Sequence, residues 1–257
     1  MLKVIACFKW VIDEADIKVD KGSRRLNLER AGYKISAYDR NAIEEAARLQ
    51  ERHGGSVAAV TVAPASAKQC LKDALSRGPD RAYFVNDPSF VDLEPSQTAS
   101  LLAAAIKSRI AFDLIICGEG SSDLYAQQVG PALAEKLGIP CATYANRLTY
   151  VESESRVIAD RKLDDGIETV SMPLPALVTV LPDTNTPRIP TLKQVLGAAK
   201  KPVQNITLPD LGQTYAPSLQ TLATLATTMD RRRLKFGPDP EGIRSIVGWL
   251  LKEGVFA

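Results

Sequence analysis

Histidine is almost missing from this sequence, with His53 the only one. One histidine near a helix end removes the usual base of a Ser–His or Cys–His nucleophile. It also leaves the cysteines without the partners of a mixed metal site. Those cysteines, Cys7, Cys70, Cys117 and Cys141, lie far apart and form no CxxC pair, so no metal site is expected. Cys7 and Cys117 end apolar runs and read as small core or pocket-lining residues rather than disulfide partners, which suits a reducing cytoplasm. No GxSxG elbow and no GxxxxGK[ST] loop occurs, and no GxGxxG follows the first apolar run, which leads instead into Cys7-Phe-Lys-Trp10. ATP hydrolysis and NAD dehydrogenation lose their main support. No stretch approaches the roughly 20 apolar residues of a membrane helix, and Lys3 and Lys9 interrupt the opening run too early for a secretory segment. Charge of one sign is lacking as well: 32 Lys and Arg against 30 Asp and Glu argue against a polyanion-binding surface. The expectation is a soluble cytoplasmic protein that binds no nucleic acid, inserts in no membrane and carries no catalytic side chains.

What is present is an ordinary globular composition, 45% hydrophobic and 24% charged over 257 residues, enough for one large domain with or without an arm. Short apolar runs at Leu2 to Phe8, Val57 to Val62, Ala82 to Val85 and Asp113 to Cys117 alternate with helix-patterned segments. That alternation implies a parallel sheet covered on both faces. The first helix begins near Asp39 and ends at Gly54-Gly55. The second opens with the capping-box pattern Ser66 to Gln69, the third runs from about Ser96, and the fourth follows Asp123. From residue 145 the pattern changes to a hairpin, Arg147 to Val151 and Arg156 to Leu163, turning at Asp164-Asp165-Gly166 into Ile167 to Ser171. Ala176 to Leu181 reads as a strand returning to the main sheet. From Pro202 to about Phe236 periodicity fades, and the chain reads as an extended tail. It ends in a helix capped by Asp239-Pro240, with Ile243, Ile246, Val247, Leu250 and Leu251 in one apolar stripe; docking on its own domain and docking on a partner both fit that stripe.

The loop Gly118-Glu-Gly-Ser-Ser-Asp123 follows the strand ending at Cys117 and leads toward a helix. Two readings fit it. Glycines and free N–H groups at a helix start make a phosphate site at the carboxyl end of a strand; equally, Asp123 caps the helix and the loop is merely a connection.

The string from Ala159 to Thr179 is a strand, an acidic turn, a second strand and a proline-led entry to a buried strand. It resembles the signature of the electron transfer flavoprotein beta subunit family at Arg161, Asp164, Asp165, Gly166, Glu168, Val170, Pro175, Leu177, Val178 and Thr179. Similar segments recur in order along the chain: VIACFKWVIDE, AIEEAARL, DALSRGPDRA, AQQVGP and RIPTLKQVLGAAKK. The strings SSDLYAQQVG and GAAKKP are most similar to the bacterial branch associated with carnitine and acyl-CoA reduction.

The resemblance implies an α/β fold with a Rossmann-like, doubly wound, mostly parallel sheet, similar to the adenine nucleotide alpha hydrolases, with an appended β-hairpin and a C-terminal arm. Residues 1–202 would form the nucleotide-binding domain, including the hairpin at 145–172 and a partner loop at 186–200, and residues 203–257 an extension docking on an alpha subunit. It implies an adenine nucleotide, AMP or FAD, held by Cys7, Ser36, Ala37, Tyr38, Asp39, Val62, Gly120, Ser121, Ser122, Asp123, Leu124, Tyr125, Ala126, Gln127, Gln128, Val129, Gly130 and Pro131. A redox FAD would lie on the partner alpha subunit of a heterodimer that carries electrons for an acyl-CoA dehydrogenase or reductase. The partner would be gripped by Arg188, Ile189, Pro190, Thr191 and Leu192, with Leu192 as the apolar anchor; without the resemblance, Leu192 reads as a buried residue starting a helix. With FAD in this chain the family includes electron-bifurcating members that take electrons from NADH. A plain adenine-nucleotide sensor is the remaining alternative.

Overall fold

The computed structural model describes residues 1–20, 22–212, 221–227 and 233–255. They divide into two compact units, Met1–Lys18 with Asn27–Ala223, and Val19–Leu26 with Thr224–Ala257.

The first unit is built on a nine-stranded sheet. Its strands are β1 (Lys3–Cys7), β2 (Ser56–Ala63), β3 (Arg81–Asn86), β4 (Leu114–Gly118), β5 (Cys141–Val151), β6 (Arg156–Leu163), β7 (Gly166–Pro173), β8 (Ala176–Val180) and β9 (Val203–Thr207). The order across the sheet is β7-β6-β5-β8-β4-β1-β2-β3-β9. From β5 to β9 neighbours run parallel, and β6 and β7 extend the β5 edge antiparallel. The central strands are nearly continuous in Ile, Val, Leu and Ala, and β4 and β8 are buried at every residue, as a sheet covered on both faces requires. Because successive strand side chains face opposite ways, Val4 and Ala6 enter one core and Ile5 and Cys7 the other. The helices α1 (Ala37–His53) and α2 (Cys70–Ser76) cover the first face. The helices α3 (Pro95–Arg109) and α4 (Val129–Leu137) cover the second. This is the two-faced parallel sheet read from the alternation of runs, in the doubly wound, Rossmann-like form that the resemblance implies.

Its topology sets where a ligand can sit. From β1 the chain builds β2 and β3 on one side, then returns to lay β4 on the other side of β1. The crossovers after β1 and after β4 therefore leave toward opposite faces, which makes the carboxyl ends of these two strands a topological switch point, the place where open α/β sheets bind ligands.

Several local expectations differ from the structure. Ser66 to Gln69 makes a single 3-10 turn, Ala65–Gln69, ahead of α2, and no side chain caps it, so the capping-box pattern goes unused. The hairpin is continuous with the main sheet: β5 starts at Cys141, pairs in parallel with β8 through Ala145, and then bends at an irregularity to pair antiparallel with β6. In the segment read as an extended tail, β9 is extended but pairs with β3 as the sheet's last strand. Positions 213–220 and 228–232 of that tail lie outside the described residues. α4 begins at Val129, well beyond Asp123, because Tyr125 and Gln127 take positive φ angles of 46° and 57° and prolong the loop. No described helix is long and apolar enough to cross a membrane.

α5 (Leu192–Ala198) opens at Thr191, whose side chain accepts from the Gln194 N–H. The segment before it is tied to α1 by Arg188, which reaches Glu44 at 2.7 Å and Glu51 at 2.6 Å. Burial pushes the Glu44 carboxyl up, but hydrogen bonds from Arg188 and Arg48 outweigh it and hold Glu44 below the usual carboxylate range.

In the second unit Arg25 bridges Leu225 antiparallel, and the Ala226 N–H donates to the Arg24 carbonyl at 2.9 Å. α6 (Pro240–Lys252) opens as its sequence demands, with the Asp239 carboxylate accepting from the N–H groups of Glu241 and Gly242. Its Ile243, Ile246, Val247 and Leu251 are exposed.

The crowding of α4 against β8 gives a direct check. A Cβ on Gly130 would stand 2.4 Å from Thr179 Cγ2, whereas one on Gly197 in α5 would meet nothing within 4 Å. Gly130→Ala is expected to destabilise by roughly 1–3 kcal/mol through overpacking. Gly197→Ala is expected to be stabilising by up to about 1 kcal/mol. Urea midpoints of the two variants moving in opposite directions is the expected outcome; equal midpoints would refute this packing.

Candidate functional site

Asp39, in the first turn of α1, organises the switch point. Its Oδ2 accepts the Lys9 N–H at 2.8 Å just beyond β1, and its Oδ1 accepts the Gly118 N–H at 3.2 Å at the end of β4. One carboxylate thus holds both strand ends against the start of α1, where the helix dipole also favours negative charge. Only glycine fits at 118, because a Cβ there would lie 2.7 Å from Asp39 Oδ1 and 2.8 Å from Tyr38. Ser36, fully buried, donates its N–H to the Lys9 carbonyl at 3.0 Å and accepts the Ser122 N–H at its Oγ at 3.2 Å. The Lys9 ammonium closes the circuit on Asp123 at 2.6 Å. Asp123 also accepts from its neighbour's N–H, Leu124, so it clasps the loop and does not cap α4, whose N-cap is Gln128 without a side-chain hydrogen bond. The N–H groups at the start of α4 are left for another acceptor.

The structure brings most of the sequence-derived residues together. Cys7 closes β1; its hydrogen bond to Cys117 on β4, together with burial, pushes the Cys117 thiol well above its ordinary range, so Cys117 does not read as a nucleophile. Ser36, Tyr38, Asp39, Gly120, Ser121, Ser122, Asp123 and Tyr125 surround the same strand ends. Val62 is half-buried at the carboxyl end of β2, the neighbouring strand. Gly130 packs on β8, and Leu124 is exposed. The residue set implied by the resemblance omits Lys9, Gly118 and Glu119, although Gly118 and Glu119 lie in the loop already read as a possible phosphate site; for Lys9 a charged residue directly beyond an apolar run was the available signal.

A polar ligand has places to bind here. Among buried side-chain atoms without a protein hydrogen-bond partner are Thr61 Oγ1 on β2, Glu119 Oε2 and Ser122 Oγ, all toward the carboxyl edge of the sheet. Such atoms are uncommon in folded proteins and mark positions where another group completes the bonding.

In the loop before α5, Leu192 is 75% exposed and Ile189 90%, which excludes Leu192 as a buried start to α5. Arg188 does not face outward. Its ion pairs to Glu44 and Glu51 make it the post on which the apolar loop stands.

Burial pushes the Asp39 carboxyl up to about 7, against the opposing hydrogen bonds from Lys9 and Gly118. Between the ordinary value of 3.8 and about 7 the folded chain holds a proton that the unfolded chain has released. Raising the pH through that window therefore costs stability, and above it the cost is constant. The stability of Asp39→Asn relative to the unsubstituted chain should rise from about pH 4 to about pH 7 and then level off; parallel stability curves for the two proteins would contradict this.

The family model of the electron transfer flavoprotein domain matches residues 25–211, a span that contains α1, the loop after β4 and the apolar loop before α5.

Proposed function

The chain belongs to the electron transfer flavoprotein family, and on that premise we propose that it is the beta subunit of a heterodimeric electron transfer flavoprotein, with an adenine nucleotide seated between the ends of β1 and β4. The observation that carries the nucleotide reading is the switch point itself, with orphaned polar atoms on one side and uncapped helix N–H groups on the other. The beta assignment rests on the hairpin sequence from Arg161 to Thr179.

In this reading the N–H groups from Gln127 to Gly130 take the phosphate, and Ser36, Asp39, Lys9 and Asp123 hold the loop in the shape that presents them. AMP, or the AMP half of FAD, is the ligand. The flavin carried by the partner alpha subunit supplies the redox chemistry, and this chain supplies position, shielding and a docking platform. Leu192 and Ile189, exposed beside the pinned Arg188, suit an apolar anchor for an acyl-CoA dehydrogenase or reductase. The setting is the cytoplasm.

Denaturing the purified heterodimer and quantifying what it releases tests the reading. One AMP and one FAD per heterodimer is the expected result; two FAD would point to the bifurcating type, and no adenine nucleotide beyond the alpha-subunit FAD would overturn the site. Asp123→Ala, which frees the loop from Lys9, should lower nucleotide retention by about fivefold or more. Leu192→Ala should slow electron delivery from the dehydrogenase with nucleotide content unchanged, and loss of nucleotide in that variant would refute the anchor.

A further inference from the structure

Glu119 stands directly beyond β4 and is only 6% exposed. Its Oε1 accepts the Tyr125 hydroxyl, while its Oε2 is buried with no hydrogen-bond partner. Burial pushes the carboxyl above its ordinary range, partly offset by the tyrosine. The tyrosine stays a donor at neutral pH, since the bond to Glu119 pushes its phenol up to about 12. Asp183 adds further negative charge at this spot, and Asp183 itself pairs with Lys162 at 3.0 Å.

The surroundings are shaped to hold this arrangement. The Tyr125 ring lies 5.1 Å from that of Tyr38 at 39°. Tyr125 takes a φ of 46°, a strained conformation for a large side chain. Gly120 leaves the ring its space, since a Cβ there would stand 2.7 Å from Tyr125 Cδ2.

A phosphate does not complete Oε2 of the carboxylate, because both are then acceptors and both are negative. An uncharged N–H or O–H donor can, and an aromatic surface beside it suits a flat base. We propose that Glu119 reads the nucleoside end of the bound nucleotide, accepting at Oε2 a hydrogen bond from the base or the sugar and turning the phosphate away toward α4. This inference rests on the nucleotide reading above. It assigns to Glu119 the choice among nucleotides: a site built to receive a particular donor rejects the analogue that lacks it, since the buried carboxylate is then left unpaired.

The full-length chain, titrated calorimetrically with AMP, IMP and the 2′-deoxy and 3′-deoxy forms of AMP, separates the two donor sources. AMP should bind about tenfold tighter than the one analogue that lacks the donor, IMP if the base amine is read and a deoxy form if a hydroxyl is read. Glu119→Gln should erase that preference, while inorganic phosphate competes equally well with AMP on both proteins. Equal affinity of the unsubstituted chain for all four nucleotides would overturn the inference without any variant, as would a preference that survives in Glu119→Gln; in either case water alone completes Oε2. Absence of binding by every probe would instead overturn the nucleotide reading, and this inference with it.

Discussion

A single carboxylate, that of Asp39, joins the three elements on which this site depends. It receives one N–H from beyond β1 and one from the end of β4 while standing in the first turn of α1. At most switch points such N–H groups are open to a ligand. Here the protein's own side chain occupies them, at a desolvation cost visible in the raised carboxyl. The return is rigidity: with β1, β4 and α1 held together, the loop from Glu119 to Gln128 has a frame against which Ser36 and Lys9 fix its Ser122 and Asp123. In the proposed nucleotide site, contacts would fall instead on that loop and the start of α4, where no side chain caps the backbone donors.

The same logic recurs at the edge of α1. Glu44 is buried, and a buried carboxylate survives only with partners. Arg48 supplies one from its own helix and Arg188 another from a segment far along the chain. The consequence is that an apolar loop with Ile189 and Leu192 exposed is nevertheless tied to the sheet of the first unit through the helix that carries Asp39. The ends of β1 and β4 and the apolar loop before α5 thus share one element, α1, as the proposed positioning role requires.

Much of this was legible in the sequence. The alternation of apolar runs and amphipathic segments foretold a two-faced parallel sheet, since strands such as Leu114–Gly118 must be apolar at every position. Asp239-Pro240 foretold the start of α6, because capping is local chemistry. What escaped was non-local. The loop before α4 runs past Asp123 because that side chain is drawn to Lys9, a pairing across more than a hundred residues that no local pattern contains. Val203–Thr207 lacks periodicity because an edge strand buries only Ile206, so it reads as tail until its partner β3 is known. Lys9 was not singled out for the site, and Glu119 was given no role of its own, for a related reason: a lone charge beside a strand is common, and only the fold shows which bonds it makes.

The central claim is that the ends of β1 and β4, with the loop between β4 and α4, form the nucleotide seat. Hydrogen–deuterium exchange of the full-length chain with and without saturating AMP tests it most directly. The account predicts slowed exchange at residues 119–130, with the partner loop at 186–192 unchanged. Protection confined to other segments, with 119–130 exchanging as before, would contradict it.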